Sequence, residues 1–341
     1  MKKFLVKKTA IIAGTISLFS CLIINNTAFA EQNQQQEPKQ NSANLSKPQA
    51  GFYYFQVGDI KVTALSDGSV VLNTKLLNNE DNYNFDKLLK ESYSTHDINA
   101  SINSYLIELK DKLILVDAGS GTFLSPTANK LQNSLKNSGY APEQITDIVI
   151  THFHSDHIGG LISNDKILYP NATLHLNKKE ADYWLNAELY KKAPEHIKKN
   201  FENANKVITP YIKSGQVKFF EGNNAEEIKL FDGLTAITAK GHTAGHTFYS
   251  IESKGEKLMF LGDTMHIPQI QLPQPDVTIQ FDSDAKQAEI QRKKAFTDAA
   301  KNVYLVALSH MSFPGVGRLA KQNKGYKWIP VPYINNYISE K

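Results

Sequence analysis

The chain has 341 residues, 41% of them hydrophobic and 21% charged, with a formal net charge of +4. That composition excludes a wholly disordered or collagen-like chain and leaves length for a sizeable core. Lys2, Lys3, Lys7 and Lys8 lie in the first thirty residues, which hold no acid, so the remainder is formally neutral and gives no electrostatic case for a nucleic-acid partner. The single cysteine, Cys21, lies in the same stretch, so the rest has no disulfide, no thiolate nucleophile and no sulfur ligand.

Residues 1–30 read as an export signal: a basic start, an uncharged and mostly apolar stretch over 9–24, and the small-x-small site Ala28-Phe29-Ala30. This predicts a periplasmic or secreted bacterial protein. No later run is long and apolar enough to span a bilayer, so no stable membrane insertion is expected. Residues 31–50, rich in Gln, Asn, Ser and Pro, predict a flexible linker, and residues 51–341 the folded domain.

Within that domain, 102–109 and 112–116 predict a hairpin turning near Lys110-Asp111. A helix is expected over 126–139, with Pro126 at its start and Gly139 as its stop. Buried strands follow at 145–151 and 172–176, and an amphipathic helix at 178–189. Strands at 234–239, 247–252 and 257–261 precede a helix at 284–302 and a buried strand at 303–308. Strands come in blocks with helices interspersed. That favours two mixed sheets with helices on their outer faces, an α+β class fold built as an αββα sandwich.

The decisive segment is His152-Phe153-His154-Ser155-Asp156-His157-Ile158-Gly159-Gly160, just past a predicted strand. Imidazole and carboxylate suit zinc foremost, and also manganese, cobalt or iron. Alternation puts His152 and His154 on one side of an extended backbone. Asp156 and His157 then fall on a tight turn and can face a second ion. Gly241-His242-Thr243-Ala244-Gly245-His246, Gly262-Asp263-Thr264 and His310 each follow another apolar strand. Each is a ligand type on a loop held by a rigid scaffold. Together these residues supply enough ligands for two divalent ions.

H-x-H-x-D-H, G-H-T-x-G-H, L-G-D-T and a late strand-end His resemble the metallo-β-lactamase superfamily over nearly everything from Gly51 onward. The resemblance implies the four-layer αββα fold and a dinuclear centre. It places His152, His154 and His242 on one ion, Asp156, His157 and His310 on the other, and Asp263 between them. It makes His246 a hydrogen-bonding neighbour of the ligands. Gln280-Phe281-Asp282-Ser283-Asp284, Arg292-Lys293-Lys294-Ala295-Phe296 and Ser309-His310-Met311-Ser312-Phe313-Pro314-Gly315 are similar to methyl parathion hydrolase and its exported relatives, as are Asp182-Tyr183-Trp184-Leu185 and the run from Gly325 to Val331. That similarity implies an aromatic substrate pocket whose matching positions are Trp184, Phe201 and either Phe123 or Leu124. Trp184 on an amphipathic helix is equally well read as a core residue.

The expected function is hydrolysis of ester, lactone or phosphotriester bonds by a hydroxide bridging two ions, as in lactonases, arylesterases and organophosphate hydrolases. Asp156 is a candidate proton carrier and Asp263 the catalytic bridge. No G-x-S-x-G elbow competes with this reading. The alternatives are a β-lactamase, or an exported metal-binding protein without catalysis. A small-molecule substrate is the expected partner, and assembly as a homodimer stays open. His266 could reach the rim of the site and is expected at the surface or as a hydrogen-bonding neighbour of the ligands rather than as a ligand, His96, His175 and His196 as bystanders, and Asp117 either as support for a ligand histidine or as a turn residue.

Overall fold

A computed structural model describes residues 48–79 and 82–335. The export segment and all but the last three residues of the linker lie outside them. One sheet takes β1 (Phe52–Val57), β2 (Ile60–Asn73), β3 (Asp97–Leu109), β4 (Lys112–Val116) and β5 (Asp147–Val149). After a small hairpin of β6 (Ile162–Ser163) and β7 (Lys166–Ile167), it adds β8 (Thr173–Asn177) and β9 (Val217–Phe220). The second sheet runs in sequence order through β10 (Glu227–Phe231), β11 (Leu234–Thr238), β12 (Thr247–Ser253), β13 (Glu256–Phe260), β14 (Leu305–Ala307), β15 (Val316–Gln322) and β16 (Gly325–Pro330). The helices are α1 (Phe85–Glu91), α2 (Leu131–Asn137), α3 (Ser155–Ile158), α4 (Lys178–Trp184), α5 (Ala187–Lys192), α6 (Glu195–Lys213), α7 (Pro268–Gln271) and α8 (Ala285–Asn302).

The two sheets pack face to face because their strands are apolar on both sides. Tyr105, Ile107, Ile114 and Val116 of the first meet Tyr249, Ile251, Leu258, Phe260 and Ala307 of the second in one buried cluster. The alternating neighbours point outward. Leu65, Leu106 and Leu115 lie under α2, α4 and α6, while Met259, Val306 and Leu319 lie under α8. A strand covered on both faces loses the polar half of its alternation, which is why the sequence shows short continuous apolar runs. Each large apolar side chain so buried contributes roughly 1.5–3 kcal/mol. The layers are therefore the αββα sandwich expected.

Several elements, β1, β2 and α1 among them, have no counterpart in the sequence reading, and three helical regions depart from it instructively. The helix expected over 126–139 begins only at Leu131. Asp67, at a bulge in β2, accepts hydrogen bonds from the N–H groups of Lys130 and Leu131, both at 2.9 Å, and stops the helix from starting earlier. The helix expected over 178–189 is two, α4 and α5. The Asn186 side chain accepts from the N–H groups of Glu188 and Leu189 and starts a new helix there. The longest helix among the described residues, α6, is absent from the sequence reading. Its lysines and Pro210 mask an apolar stripe of Phe201, Ala204, Val207, Ile208 and Tyr211. By contrast α8 starts as predicted, with the Asp284 side chain accepting from the Gln287 N–H at 3.0 Å.

Candidate metal centre

The candidate ligands all follow the C-terminal ends of strands, β5, β11, β13 and β14, at one edge of the sandwich. Past β5 the chain runs to His154, whose backbone is extended, then makes the single turn of α3 that carries Asp156 and His157. His242 sits in the β11–β12 loop, Asp263 two residues past Leu261, and His310 past β14. Strand ends leave backbone groups without sheet partners, so loops there can turn side chains inward on a rigid base.

All seven residues come together. His152, His154, His242 and Asp263 form one set of donor atoms within 4.8 Å of one another, and Asp156, His157, Asp263 and His310 form a second. Asp263 is common to both. Its Oδ1 lies 3.1 Å from His157 Nε2, and its Oδ2 lies 3.1 Å from His310 Nε2, 3.4 Å from His242 Nε2 and 3.7 Å from His152 Nε2. Asp156 Oδ2 lies 3.5 Å from His157 Nε2 and 3.4 Å from His310 Nε2.

The surrounding bonds aim these donors. His157 Nδ1 donates to Asp117 at 2.8 Å, His242 Nδ1 to Asp282 at 2.8 Å and His310 Nδ1 to the Ser101 carbonyl at 2.9 Å. A proton held on Nδ1 leaves the Nε2 lone pair facing the cluster. Asp117 also accepts from the Thr151 N–H and hydroxyl, tying the start of the histidine segment to the end of β4. His246 is buried outside both sets and accepts from the Asp263 N–H through Nε2 at 3.2 Å. Gly262, at φ +49°, leaves no room for a side chain: a Cβ there would meet His246 Nε2 at 2.6 Å.

Divalent metal fits this site. His152 Nε2, His157 Nε2 and Asp263 Oδ1 are buried without a hydrogen-bond partner. Such groups cost roughly 1–3 kcal/mol each when left unpaired, and a cation in each donor set would satisfy all three between them. The electrostatics divide the histidines: burial keeps His152 and His154 neutral, while nearby carboxylates favour positive charge at His157, His242 and His310, a charge that a cation would replace. Burial pushes His152 well below the ordinary imidazole value and His154 down to about 3, so both are neutral and free to ligate. Burial also opposes charge on His242, but Asp263 and Asp282 outweigh it and push it up to about 9. Burial disfavours ionised Asp156 and Asp263, yet the imidazoles around them, His157 foremost, hold both carboxylates well below the usual range.

The aromatic positions lie differently. Trp184 and Phe201 are 2% and 1% exposed, within the core under the first sheet. The Trp184 ring stands edge-on to His154 at 5.6 Å, and Phe201 stands behind it at 4.9 Å. Phe123 is half-buried against the same cluster, and Leu124 is exposed. Among the other histidines, His266 is buried rather than at the surface and is a hydrogen-bonding neighbour of the ligands, with Nε2 3.1 Å from Asp263 Oδ2 and its ring stacked on His310. His96 pairs with Asp86, His175 with Asp147, and His196 is exposed at the start of α6. Asp282 and the Ser101 carbonyl have no local sequence mark, because their partners lie 40 and 209 residues away.

Known proteins are similar to this chain in sequence and fold. The metallo-beta-lactamase superfamily profile matches residues 99–310. The crystal structure of AbOPH, a hydrolase in the beta lactamase superfamily, is 32% identical with a TM-score of 0.78, over 85% of this chain and 100% of that one. AidC, a dizinc quorum-quenching lactonase in complex with the product N-hexanoyl-L-homoserine, is 31% identical with a TM-score of 0.75, over 84% and 99%. An N-acyl homoserine lactonase of Bacillus thuringiensis is 24% identical over 176 residues, 46% of this chain and 60% of the relative. A probable metallo-hydrolase of Mycobacterium bovis is 23% identical over 178 residues, 47% and 56%. The chain thus spans somewhat more than half the length of these curated relatives. With the profile covering most of the sandwich and every strand-end motif in it, the chain belongs to the metallo-beta-lactamase superfamily.

Proposed function

We propose that this protein is a dinuclear metal-dependent hydrolase, with zinc the foremost metal, that opens lactones or cleaves esters of small molecules. The observation that carries the reading is the pair of sulfur-free donor sets that share Asp263 and nothing else. When bound, two divalent ions supply Lewis-acid activation of water and of the substrate oxygen that gains charge. The chain's own residues do the rest. Asp117 and Asp282 hold His157 and His242 in the tautomer that presents Nε2. Asp263 is shared by both halves of the cluster, with Oδ1 nearest His157 and Oδ2 between His310 and His242. Asp156, at 17% side-chain exposure the most solvent-exposed of the carboxylates here, is the candidate proton carrier.

The lactone class is supported by AidC and by the Bacillus thuringiensis lactonase, whose reactions carry over only as a proposal. A phosphotriester substrate rests on the sequence similarity at 182–185, 280–284, 292–296, 309–315 and 325–331 alone, and so does an aromatic substrate pocket at Trp184, Phe201, Phe123 or Leu124. Export rests on residues 1–30. The test is elemental analysis of the purified protein with a substrate panel: an N-acyl homoserine lactone, a p-nitrophenyl ester, a phosphotriester and nitrocefin. Two ions per chain and chelator-sensitive lactone or ester turnover are expected, both impaired in Asp263→Asn, which can offer only one ligand oxygen. One ion or fewer after metal supplementation, or turnover of nitrocefin alone, overturns the proposal.

A further inference from the structure

Glu180, in α4, belongs to neither donor set and is 1% exposed. Its carboxylate forms no ion pair among the described residues. Instead it gathers N–H donors from three places. Oε2 accepts from the Phe153 backbone at 3.0 Å and from the Trp184 indole at 2.9 Å, and Oε1 accepts from the Gly245 backbone at 2.6 Å. Phe153 stands between His152 and His154, and Gly245 between His242 and His246. The Trp184 ring, held by the same carboxylate, rests edge-on against His154.

One side chain therefore spans two loops that come from different sheets and carry three histidines of one donor set. The loops are pressed close at this point, since a Cβ on Gly245 would lie 2.7 Å from the Glu180 N–H nitrogen. A carboxylate buried without a cation is costly, and an apolar residue would fill the space more cheaply if packing were its only task. The second set is held by other groups: His157 by Asp117, and His310 by the Ser101 carbonyl.

We infer that Glu180 is a positioning residue for one half of the centre: it sets the spacing of the His152-His154 segment against the His242 loop, and with it the affinity for one ion and not the other. This rests on the dinuclear reading above. Outer partners of this kind typically change metal affinity tenfold to a hundredfold.

The test is Glu180→Gln in the full protein, followed by cobalt titration read through visible absorption, with competition by a chromophoric chelator to resolve each binding step. The amide keeps the shape but can accept at only one end. Its NH2 must then face either the Gly245 N–H or the Phe153 and Trp184 N–H groups. One cobalt is expected to bind at least tenfold more weakly, with the other within about threefold of wild type and far-UV circular dichroism unchanged. Equal weakening of both ions, or no change in either, overturns the inference while leaving the dinuclear reading standing. A wild-type protein that binds no cobalt overturns the dinuclear reading and this inference with it. If Glu180→Gln does not fold, Trp184→Phe removes one of the three donors and keeps an aromatic ring in the core. It should weaken the same single ion severalfold, and an unaltered or evenly weakened pair overturns the inference.

Discussion

Asp117→Asn is a clean probe of how the centre is oriented. Asp117 has φ +59°, in the left-handed region, where asparagine is as well tolerated as aspartate, so the backbone has no reason to move. The chemistry does change. Oδ1 accepts from the Thr151 N–H at 2.8 Å, and Oδ2 accepts from the Thr151 hydroxyl at 2.9 Å and from His157 Nδ1 at 2.8 Å. An amide with its oxygen on the Thr151 N–H turns its NH2 toward His157. The imidazole then has to accept at Nδ1 and carry its proton on Nε2, the atom that faces Asp263 and Asp156. That tautomer cannot ligate. A loss of tenfold to a hundredfold in affinity for one ion corresponds to about 1.4–2.7 kcal/mol. Since bound metal stabilises the folded state by mass action, the same amount disappears from the metal-dependent part of stability. At roughly 2–4 °C per kcal/mol for a domain of this size, the interval between metal-loaded and chelated Tm should shrink by about 3–11 °C. Differential scanning calorimetry with saturating zinc, and again with chelator, reads that interval directly. If Asp117→Asn lowers both Tm values equally, Asp117 is an ordinary structural residue and the tautomer argument fails.

Two further expectations follow from groups around the site and away from it. Burial disfavours the Asp147 carboxylate, but His175 and Lys112, each at 2.8 Å, and Thr146 at 2.9 Å overcome this and hold it down to about 2. A lowered folded value stabilises above the unfolded value of 3.8 and is lost as pH falls, so wild type should exceed Asp147→Asn by about 2 kcal/mol in urea denaturation above pH 5. That gap should narrow steadily between about pH 4 and pH 2, and a constant gap would show that ionisation of Asp147 is not its source. Gly262→Ala forces a side chain into φ +49° and to 2.6 Å from His246 Nε2, so about 1–3 kcal/mol of stability should be lost even in chelator. A chelated variant within 0.5 kcal/mol of wild type, on the order of an ordinary surface substitution, would refute that crowding.

The amino-acid sequence by itself determined the parts of this protein that depend on residue type and local order. Alternation at His152 and His154 followed by a turn at Asp156 and His157 is a local property, and so are the apolar strands preceding His242, Asp263 and His310. Short apolar runs at β13 and β14 and the Asp284 cap of α8 are likewise set within a few residues, which is why the layers and the candidate centre were legible. Only the tertiary structure decided what meets across long separations. Asp67 reaches from β2 to delay α2 by five residues relative to Pro126, and no window around 126–139 contains that carboxylate. The partners that aim the histidines, Asp282 and the Ser101 carbonyl, are fixed by how sheets and loops close on one another. Trp184 and Phe201 show the same division: an apolar spacing on a helix is identical for a pocket wall and a core residue, and the packing of α4 against α6 seals both beneath His154. Glu180 is a charged residue in the first turn of a helix, where sequence favours solvent and the helix dipole alike. It becomes a buried clasp because two loops bring their N–H groups to it, and those loops are neighbours only once the two sheets are stacked.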